Sequence, residues 1–303
     1  MMLLPAPLPA DDDAYAYEVK WDGFRALVRV EDGKVSITSR NLRDLTRYYP
    51  HGQALARALA GRRALLDAEL CGLSADGHPD FEALARRWQA QSTPCPVALV
   101  FFDLLHLDGC DLMRQPYLAR RALLESLPLG AGPHWRTPGY QVGGGAELLA
   151  ASRRMGLEGL VAKRIDSAYR PGHRSRDWLK IKNWRSQPFV VGGWSESSEG
   201  AGGDVRSLLL GYHDERGTLL YAGRVEMGLG GRVAEVLRSV LPDLRRIRSP
   251  FAAAPRSSSV RWVEPRLVCE VRFNSWTGGG LLRSAMLEGF ALDVDPASVR
   301  RQG

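Results

Sequence analysis

Residues 17–25 read YEVKWDGFR, a lysine followed two residues later by an Asp22–Gly23 turn. Working outward, residues 14–40 divide into AYAYEVKWDG, FRALVRVEDG and KVSITSR. Apolar and polar side chains alternate in ALVRV and VSITS, and an Asp-Gly pair closes each of the first two segments, so the stretch reads as strands joined by tight turns. The lysine itself is the informative residue. The chain carries 41 lysines and arginines but only five lysines: Lys20, Lys34, Lys163, Lys180 and Lys182. A guanidinium stays protonated in proteins, whereas an ammonium can lose its proton and attack an electrophile. Lys34, in EDGKVS, suits an ordinary turn; the other four sit in EVKWDGFR, EGLVAKR and WLKIK. By itself the lysine-containing segment is also compatible with a plain strand–turn–strand.

At 303 residues the chain suits two domains. A hydrophobic content of 45% and a charged content of 25% are those of a globular protein. No apolar run reaches the roughly 18 residues of a membrane span. The opening MMLLPAPLPADDD turns acidic and has no basic leader, so it is not read as a signal peptide. Cys71, Cys95, Cys110 and Cys269 show no C-x-x-C spacing, and the six histidines form no H-E-x-x-H cluster. These spacings argue against a zinc ribbon, a redox pair or a protein-built metal centre. The net charge of +7 divides as +5 up to residue 186 and +2 beyond it, an excess that fits a polyanionic partner without requiring one.

Helices are expected over YPHGQALARALAGR, DFEALARRWQAQ with Asp80 as N-cap, YLARRALLESL and GGGAELLAASRRMG. PVALVFFDLLHLDG is a continuous apolar run and reads as a buried strand; RALLDAELCGLSADG reads as two strand halves meeting a turn. After NWRSQP the texture changes to short strands, Gly-rich turns and one helix, GRVAEVLRSVLP, the pattern of a small Greek-key barrel of the OB type. SESSEGAGGD and SPFAAAPRSSS read as mobile loops. The basic run at 245–248 reads as a solvated face.

The ordered series EVKWDGFR, SRN (39–41), LLDAEL (65–70), FFDLLHLDG (101–109), EGLVAKR (158–164) and WLKIK (178–182) resembles the covalent nucleotidyltransferases. In particular it resembles the ATP-dependent DNA ligases of bacterial end joining, over residues 15 to 296. The resemblance implies an α+β nucleotidyltransferase (ATP-grasp-like adenylation) domain of antiparallel sheets and helices over 1–186. An OB-fold β-barrel domain would follow over 187–303. Lys20 would attack the ATP α-phosphate and form a lysyl–AMP phosphoramidate. Glu18 resembles the adenine-side contact and Arg25 a ribose contact. Arg40 resembles a phosphate clamp, a task suited to a fork of donors. Glu69 matches the ribose hydroxyl acceptor, and Phe102, rather than the neighbouring Phe101, the ring that stacks on adenine. Glu158 matches the holder of a divalent cation, Mg2+ or Mn2+. Lys180 and Lys182, two apart on a strand, would share one face and reach the α-phosphate. Trp21, Trp178 and Trp184 read as packing.

The resemblance further implies sealing of 5′-phosphate/3′-hydroxyl nicks in DNA repair. ATP is implied rather than NAD, since NAD-dependent relatives carry a leading domain and a cysteine zinc module. The implied partners are nicked or broken double-stranded DNA and a repair protein; the implied protein is a monomer, cytoplasmic and nucleoid-associated in a bacterium, with no membrane. The alternatives are a DNA-end-binding factor with a vestigial AMP site, or an RNA ligase. One departure stands out. The family pattern near the end runs G-x-L-R, then G-L-R-x-D-K, whereas this chain reads GLLRSAMLEGFALDVDP. Arg283 and Asp293 are kept, but Ala291 and Val294 replace two cations, which weakens the expected self-adenylation step; Arg300 and Arg301 lie close behind.

Overall fold

The computed structural model describes residues 1–74, 77, 79–88, 95–129, 132, 134–196, 205–253, 255 and 259–302. It divides into two compact units, Met1–Asn183 and Trp184–Gly303. In chain order the first runs β1 (Met2–Pro5), β2 (Tyr15–Val19), β3 (Phe24–Glu31), β4 (Lys34–Ser39), α1 (Gly52–Ala58), β5 (Ala64–Gly72) and α2 (Phe81–Trp88). It continues through β6 (Val97–Leu107), β7 (Cys110–Asp111), α3 (Tyr117–Ser126), β8 (Trp135–Arg136), β9 (Gln141–Val142), α4 (Gly145–Arg154), β10 (Gly159–Arg164) and β11 (Arg174–Lys182).

These strands make two sheets, in the orders β1-β11-β10-β2-β9 and β4-β3-β5-β6-β7, with β8 added beside β6. Register decides which side chains each sheet buries, because strand neighbours alternate between faces. In the first sheet Tyr15, Tyr17, Leu160, Ala162, Leu179 and Ile181 form an apolar cluster on one face. The opposite face carries the row Glu18–Val161–Lys180 and the pair Lys163–Trp178. In the second sheet Ala26, Val28, Leu66, Ala68, Leu70 and Phe101 go to the core. Their alternates Arg25, Glu69 and Asp67 lie on the other face, with Arg25 opposite Glu69 and Asp67 opposite Asp103. Leu27, Leu65, Phe102 and Leu105 of the second sheet pack with Leu3 and Trp178 of the first. The two polar faces are thereby turned toward each other.

The opening segment differs from its sequence reading. Met2–Pro5 is a strand, parallel to β11, in a stretch where periodicity predicts none. Likewise RALLDAEL and the residues after it form one continuous strand to Gly72 rather than two halves. Asp80 caps α2 through an Oδ1 that accepts from the Ala83 N–H at 2.9 Å. The end of DFEALARRWQAQ lies outside the described residues. The four cysteines are free thiols.

The second unit runs β12 (Arg185–Glu196), β13 (Val205–His213), β14 (Leu219–Val225), α5 (Arg232–Val240), β15 (Arg245–Arg246), β16 (Val260–Val263), β17 (Val268–Phe273), β18 (Ser275–Trp276), β19 (Leu282–Arg283) and β20 (Met286–Phe290). β12 is its spine. Along one edge it pairs with β13; along the other its first half pairs with β17 and its second half with β16. Phe189, Val191, Leu208, Leu210, Val271 and Phe273 fill the space enclosed. Of the two loops expected to be mobile, SESSEGAGGD lies largely outside the described residues. SPFAAAPRSSS carries a correction: Phe251 is buried, its ring packed so closely on Gly192 that a Cβ there would meet it at 2.4 Å. Ala291 and Val294, the two residues that depart from the family pattern, pack against an apolar cluster with Phe251, Val268 and Val299. Arg300 donates to the Ala297 carbonyl at 2.6 Å, and Arg301 lies 4.5 Å from the Trp276 ring centre. Among the described residues no helix is long and apolar enough to cross a membrane.

One interaction of the first unit has a measurable weight. Arg120 meets Asp103 through two parallel 2.8 Å hydrogen bonds, with both side chains fully buried. Arg120 also donates to the Gln115 and Ser167 carbonyls, at 2.6 and 3.0 Å. Removing one partner leaves the other charge stranded. Arg120→Met is therefore expected to cost about 3–5 kcal/mol of unfolding free energy, measurable by denaturant titration.

Candidate active site

Between the two polar sheet faces lies a cavity of about 270 Å³. Glu18, Lys20, Arg25, Arg40, Glu69, Phe102 and Lys180 line it, and Lys163 and Trp178 with them. The route from sequence to this convergence is local at each point. β2 ends at Val19, and the Lys20 N–H donates to the Gly159 carbonyl at 2.9 Å, so the lysine leaves the sheet just as the chain turns. Gly23 then lies so close to β5 that a Cβ would meet the Leu70 carbonyl oxygen at 2.3 Å, which explains the glycine in W-D-G.

The cations are not left to repel one another. Lys20 Nζ is hydrogen-bonded to Glu158, and Lys182 Nζ lies 3.5 Å from the same carboxylate. Arg25 is held by Asp67, with Nε at 3.0 Å and Nη2 at 2.6 Å, and also donates to the Met1 carbonyl and to Tyr169. Tyr169 in turn donates to Asp67 at 2.7 Å. Carboxylates interleave with the cations: Glu158 lies between Lys20 and Lys182, and Asp67 holds Arg25. Burial, with Lys182 and Lys20 nearby, makes the Lys180 ammonium easier to deprotonate than usual. Burial acts oppositely on Glu69. Lys20 and Arg25 oppose it only in part, and the Glu69 carboxyl is pushed up to about 8.

Neighbouring phenylalanines divide between the faces of β6. Phe101 is fully buried in the core, while Phe102 is partly exposed on the cavity wall. Trp178 is 1% exposed between the sheets. Trp21 packs against Cys71, Leu73, Ala98 and Val100 and carries Arg136 at 5.4 Å from its ring centre. In the second unit, Arg272 covers the Trp184 ring at 4.9 Å.

Two residues of this site are not among the site residues assigned from the sequence. Lys163 is 1% exposed, donates to Glu18 at 2.7 Å and to the Phe102 carbonyl at 3.0 Å, and lies within 5 Å of the Phe102, Tyr117 and Trp178 ring centres. Tyr117 supplies the second donor to Glu18. The Glu18 carboxylate is thus turned to Lys163 and Tyr117 within the wall. The scarcity of lysine flags Lys163; nothing in the sequence flags Tyr117, which comes from a helix remote in the chain.

A second cavity, about 560 Å³, adjoins the first and shares Arg25, Arg40 and Glu69 with it. Arg40 follows β4 and reaches both. Among the described residues no cluster of three or more His, Cys, Asp or Glu side chains gathers as a metal site. Glu158 offers one carboxylate, which fits a hard cation that takes its remaining ligands from phosphate oxygens and water. A cavity with an aromatic wall, a carboxyl row and several ammonium groups can bind a nucleotide and present an amine to its phosphates.

Known proteins resemble this chain in sequence and in fold. Residues 9–182 match the ATP dependent DNA ligase domain, and residues 201–293 match the ATP dependent DNA ligase C terminal region. The multifunctional non-homologous end joining DNA repair protein LigD of Mycobacterium tuberculosis is 39% identical over 291 residues, covering 95% of this chain and 37% of that protein. The chain thus spans about 37% of the length of the LigD relative it matches. DNA ligase C2 of Mycolicibacterium smegmatis is 36% identical over 254 residues, covering 79% of this chain and 68% of that protein. Among solved structures, the ligase domain of M. tuberculosis LigD matches with a TM-score of 0.56 at 38% identity, covering 99% of this chain and 97% of that one. A mycobacterial DNA ligase D complexed with ATP and MES matches with a TM-score of 0.57 at 37% identity, over the same shares of both chains. The fold is therefore a nucleotidyltransferase domain followed by an OB-fold domain. With family matches in both units and this identity over nearly the whole chain, the protein belongs to the ATP-dependent DNA ligase family.

Proposed function

We propose that this chain seals 5′-phosphate/3′-hydroxyl nicks in duplex DNA at the expense of ATP, as part of DNA break repair. The observation that carries the reading is the convergence of Lys20, Lys180 and Phe102 around one cavity, with Glu158 paired to Lys20 and Lys182 beside it. In this reading residues 1–186 are the adenylation domain and 187–303 the OB-fold domain. A partner repair protein and a monomeric, cytoplasmic state are part of the same proposal.

Three displacements make up the reaction. Lys20 Nζ, as a neutral amine, attacks the α-phosphorus of ATP; a P–N bond forms and pyrophosphate leaves. An oxygen of the DNA 5′-phosphate then attacks the same phosphorus, releasing Lys20 and forming a 5′-adenylate. Finally the 3′-hydroxyl attacks the 5′-phosphate, and AMP departs. Lys180 and Lys182 offset charge on the α-phosphate, which is where positioned cations lower such barriers most. Phe102 stacks on the adenine from one sheet, Glu18 contacts it from the other, and Glu69 and Arg25 contact the ribose. Arg25 arrives already oriented by Asp67 and Tyr169. Arg40, which lines both cavities, clamps a phosphate of AMP or of the DNA end. Glu158 would hold a divalent cation, Mg2+ or Mn2+, whose charge would offset that of the phosphates when bound.

Ala291 and Val294 pack into an apolar cluster and bring no charge to the leaving pyrophosphate. Losing one preorganised donor of that kind typically costs about a hundredfold or more in rate. Self-adenylation is therefore expected to be slow. With labelled ATP and magnesium, Lys20→Ala should take up no label, and Ala291→Arg should label faster than the natural chain. Failure of Lys20→Ala to abolish labelling removes the proposal. A nick bearing a ready-made 5′-adenylate should be sealed at an ordinary rate; binding without sealing would favour a non-sealing end-binding factor.

Lys163→Met should raise the ATP concentration for half-maximal labelling by about tenfold or more, since a hydrogen bond to a charged group contributes about 1.5–3 kcal/mol. The same plateau of labelled protein should still be reached.

Glu69 makes a pH-dependent prediction. Its folded-state pKa, about 8, lies above the 4.5 of a free glutamate. The folded state therefore holds a proton that the unfolded state releases. This contribution to stability is complete below 4.5 and is lost as pH rises toward 8. Glu69→Gln keeps the neutral shape, so its melting temperature relative to the natural chain should rise between pH 5 and pH 8.

A further inference from the structure

Tyr117 stands behind the nucleotide cavity, yet its hydroxyl ends on a residue that lines it. It opens α3 and is fully buried. Its place is fixed from several sides. The Leu118 N–H donates to the Ile165 carbonyl at 3.1 Å, the Tyr140 ring meets the Tyr117 ring edge-on at 6.4 Å between centres, and the Arg120 guanidinium lies 5.9 Å from the Tyr117 ring centre. So held, the ring delivers its hydroxyl hydrogen bond to Glu18 Oε1. Lys163 Nζ donates to the same oxygen at 2.7 Å. Among the described residues no donor meets the second oxygen, Oε2, and Oε2 is not one of the enclosed polar atoms that lack a partner. Glu18 lines the cavity, so Oε2 is the oxygen that faces it.

From this arrangement we infer that Tyr117 is a positioning residue for the base: it turns the Glu18 carboxylate so that Oε2 accepts from the exocyclic amine of a 6-aminopurine. This role rests on the nucleotide site proposed above; it adds which edge of the base is read and which side chain aims the reader. The terminal torsion of a glutamate is broad and roughly two-fold, so a carboxylate alone does not hold one orientation. Two donors on Oε1, one from α3 and one from β10, remove that freedom. Burial, with the Glu18 carboxylate facing it, holds the Tyr117 hydroxyl far above its ordinary ionisation range, so it stays a donor. A carboxylate oxygen only accepts, and the 6-position carries a donor in adenine but an acceptor in guanine. A 6-oxo base would therefore leave two acceptors facing each other in a desolvated place.

Calorimetric titration of the whole chain carrying Lys20→Ala, so that no covalent step intervenes, tests the role. The two ligands are ATP and purine riboside triphosphate, which lacks only the exocyclic amine. ATP should bind about tenfold more tightly than the analogue, as expected for one hydrogen bond to a charged group. Adding Tyr117→Phe, which removes the hydroxyl and keeps the ring, should weaken ATP about fivefold and leave the analogue within about twofold, so that the two affinities converge. Retained binding of the analogue reports an intact site in the same variant. The role is overturned if Tyr117→Phe weakens both nucleotides alike, as a purely structural tyrosine would, or if it weakens neither. It is equally overturned if the chain with Tyr117 in place does not tell ATP from the analogue. Covalent labelling of the chain with Lys20 intact is read separately: its failure, with the discrimination and its loss in Tyr117→Phe both seen, would overturn the ligase reading and support the role of the tyrosine.

Discussion

A buried ammonium–carboxylate pair holds the nucleotide cavity in shape. Lys163 stands on β10 of one sheet and Glu18 on the neighbouring β2, but the Lys163 ammonium also reaches the carbonyl of Phe102 on β6 of the other sheet. A single cation thus bolts together the strand that leads to Lys20 and the strand that carries Phe102. Its surroundings are aromatic, and a desolvated cation against ring faces gains more than one in water. Burial makes the ammonium easier to deprotonate, and the Glu18 and Asp103 carboxylates work against that. The pair is therefore poised to matter for geometry more than for net stability.

The same logic repeats around the cavity. Arg25 is oriented by Asp67, Lys20 is matched by Glu158, and Arg120 closes on Asp103 behind them. Alternating charge lets several cations converge on one phosphate-sized volume without destabilising the fold when no nucleotide is there. It also fixes direction: a guanidinium held at two points by a carboxylate presents its remaining donors along one line. Preorganisation of this kind is what makes a polar site effective in transfer of phosphoryl groups.

The second unit trades charge for packing at one point. Where the family places two cations, Ala291 and Val294 join Phe251 and Val299 in an apolar cluster, and the tail that follows is tied down by Gln187 accepting from the Gln302 N–H at 3.0 Å and donating to the Arg300 carbonyl at 3.1 Å. Arg300 and Arg301 are accordingly engaged locally, one with backbone carbonyls and the other over Trp276. The substitution is thus a packed feature of this chain rather than a loose end.

How much of this was legible beforehand follows from the range of the interactions. Alternation and turn residues are local, so the strands about Lys20, the long apolar strand ending at Leu107 and helices such as Tyr117–Ser126 could be read directly. Lysine scarcity singled out Lys20, Lys163, Lys180 and Lys182 because the chemistry of an amine differs from that of a guanidinium. Strand Met2–Pro5 was hidden, since its partner β11 lies some 170 residues on and its own four residues show no period. Tyr117 was hidden for the same reason, 99 residues from the carboxylate it serves. Sequence alone determined which side chains could do the chemistry and the order in which they occur. Only the tertiary structure decided which charges neutralise which, because ion pairing depends on distance through space, and the chain's order along itself carries no such distance.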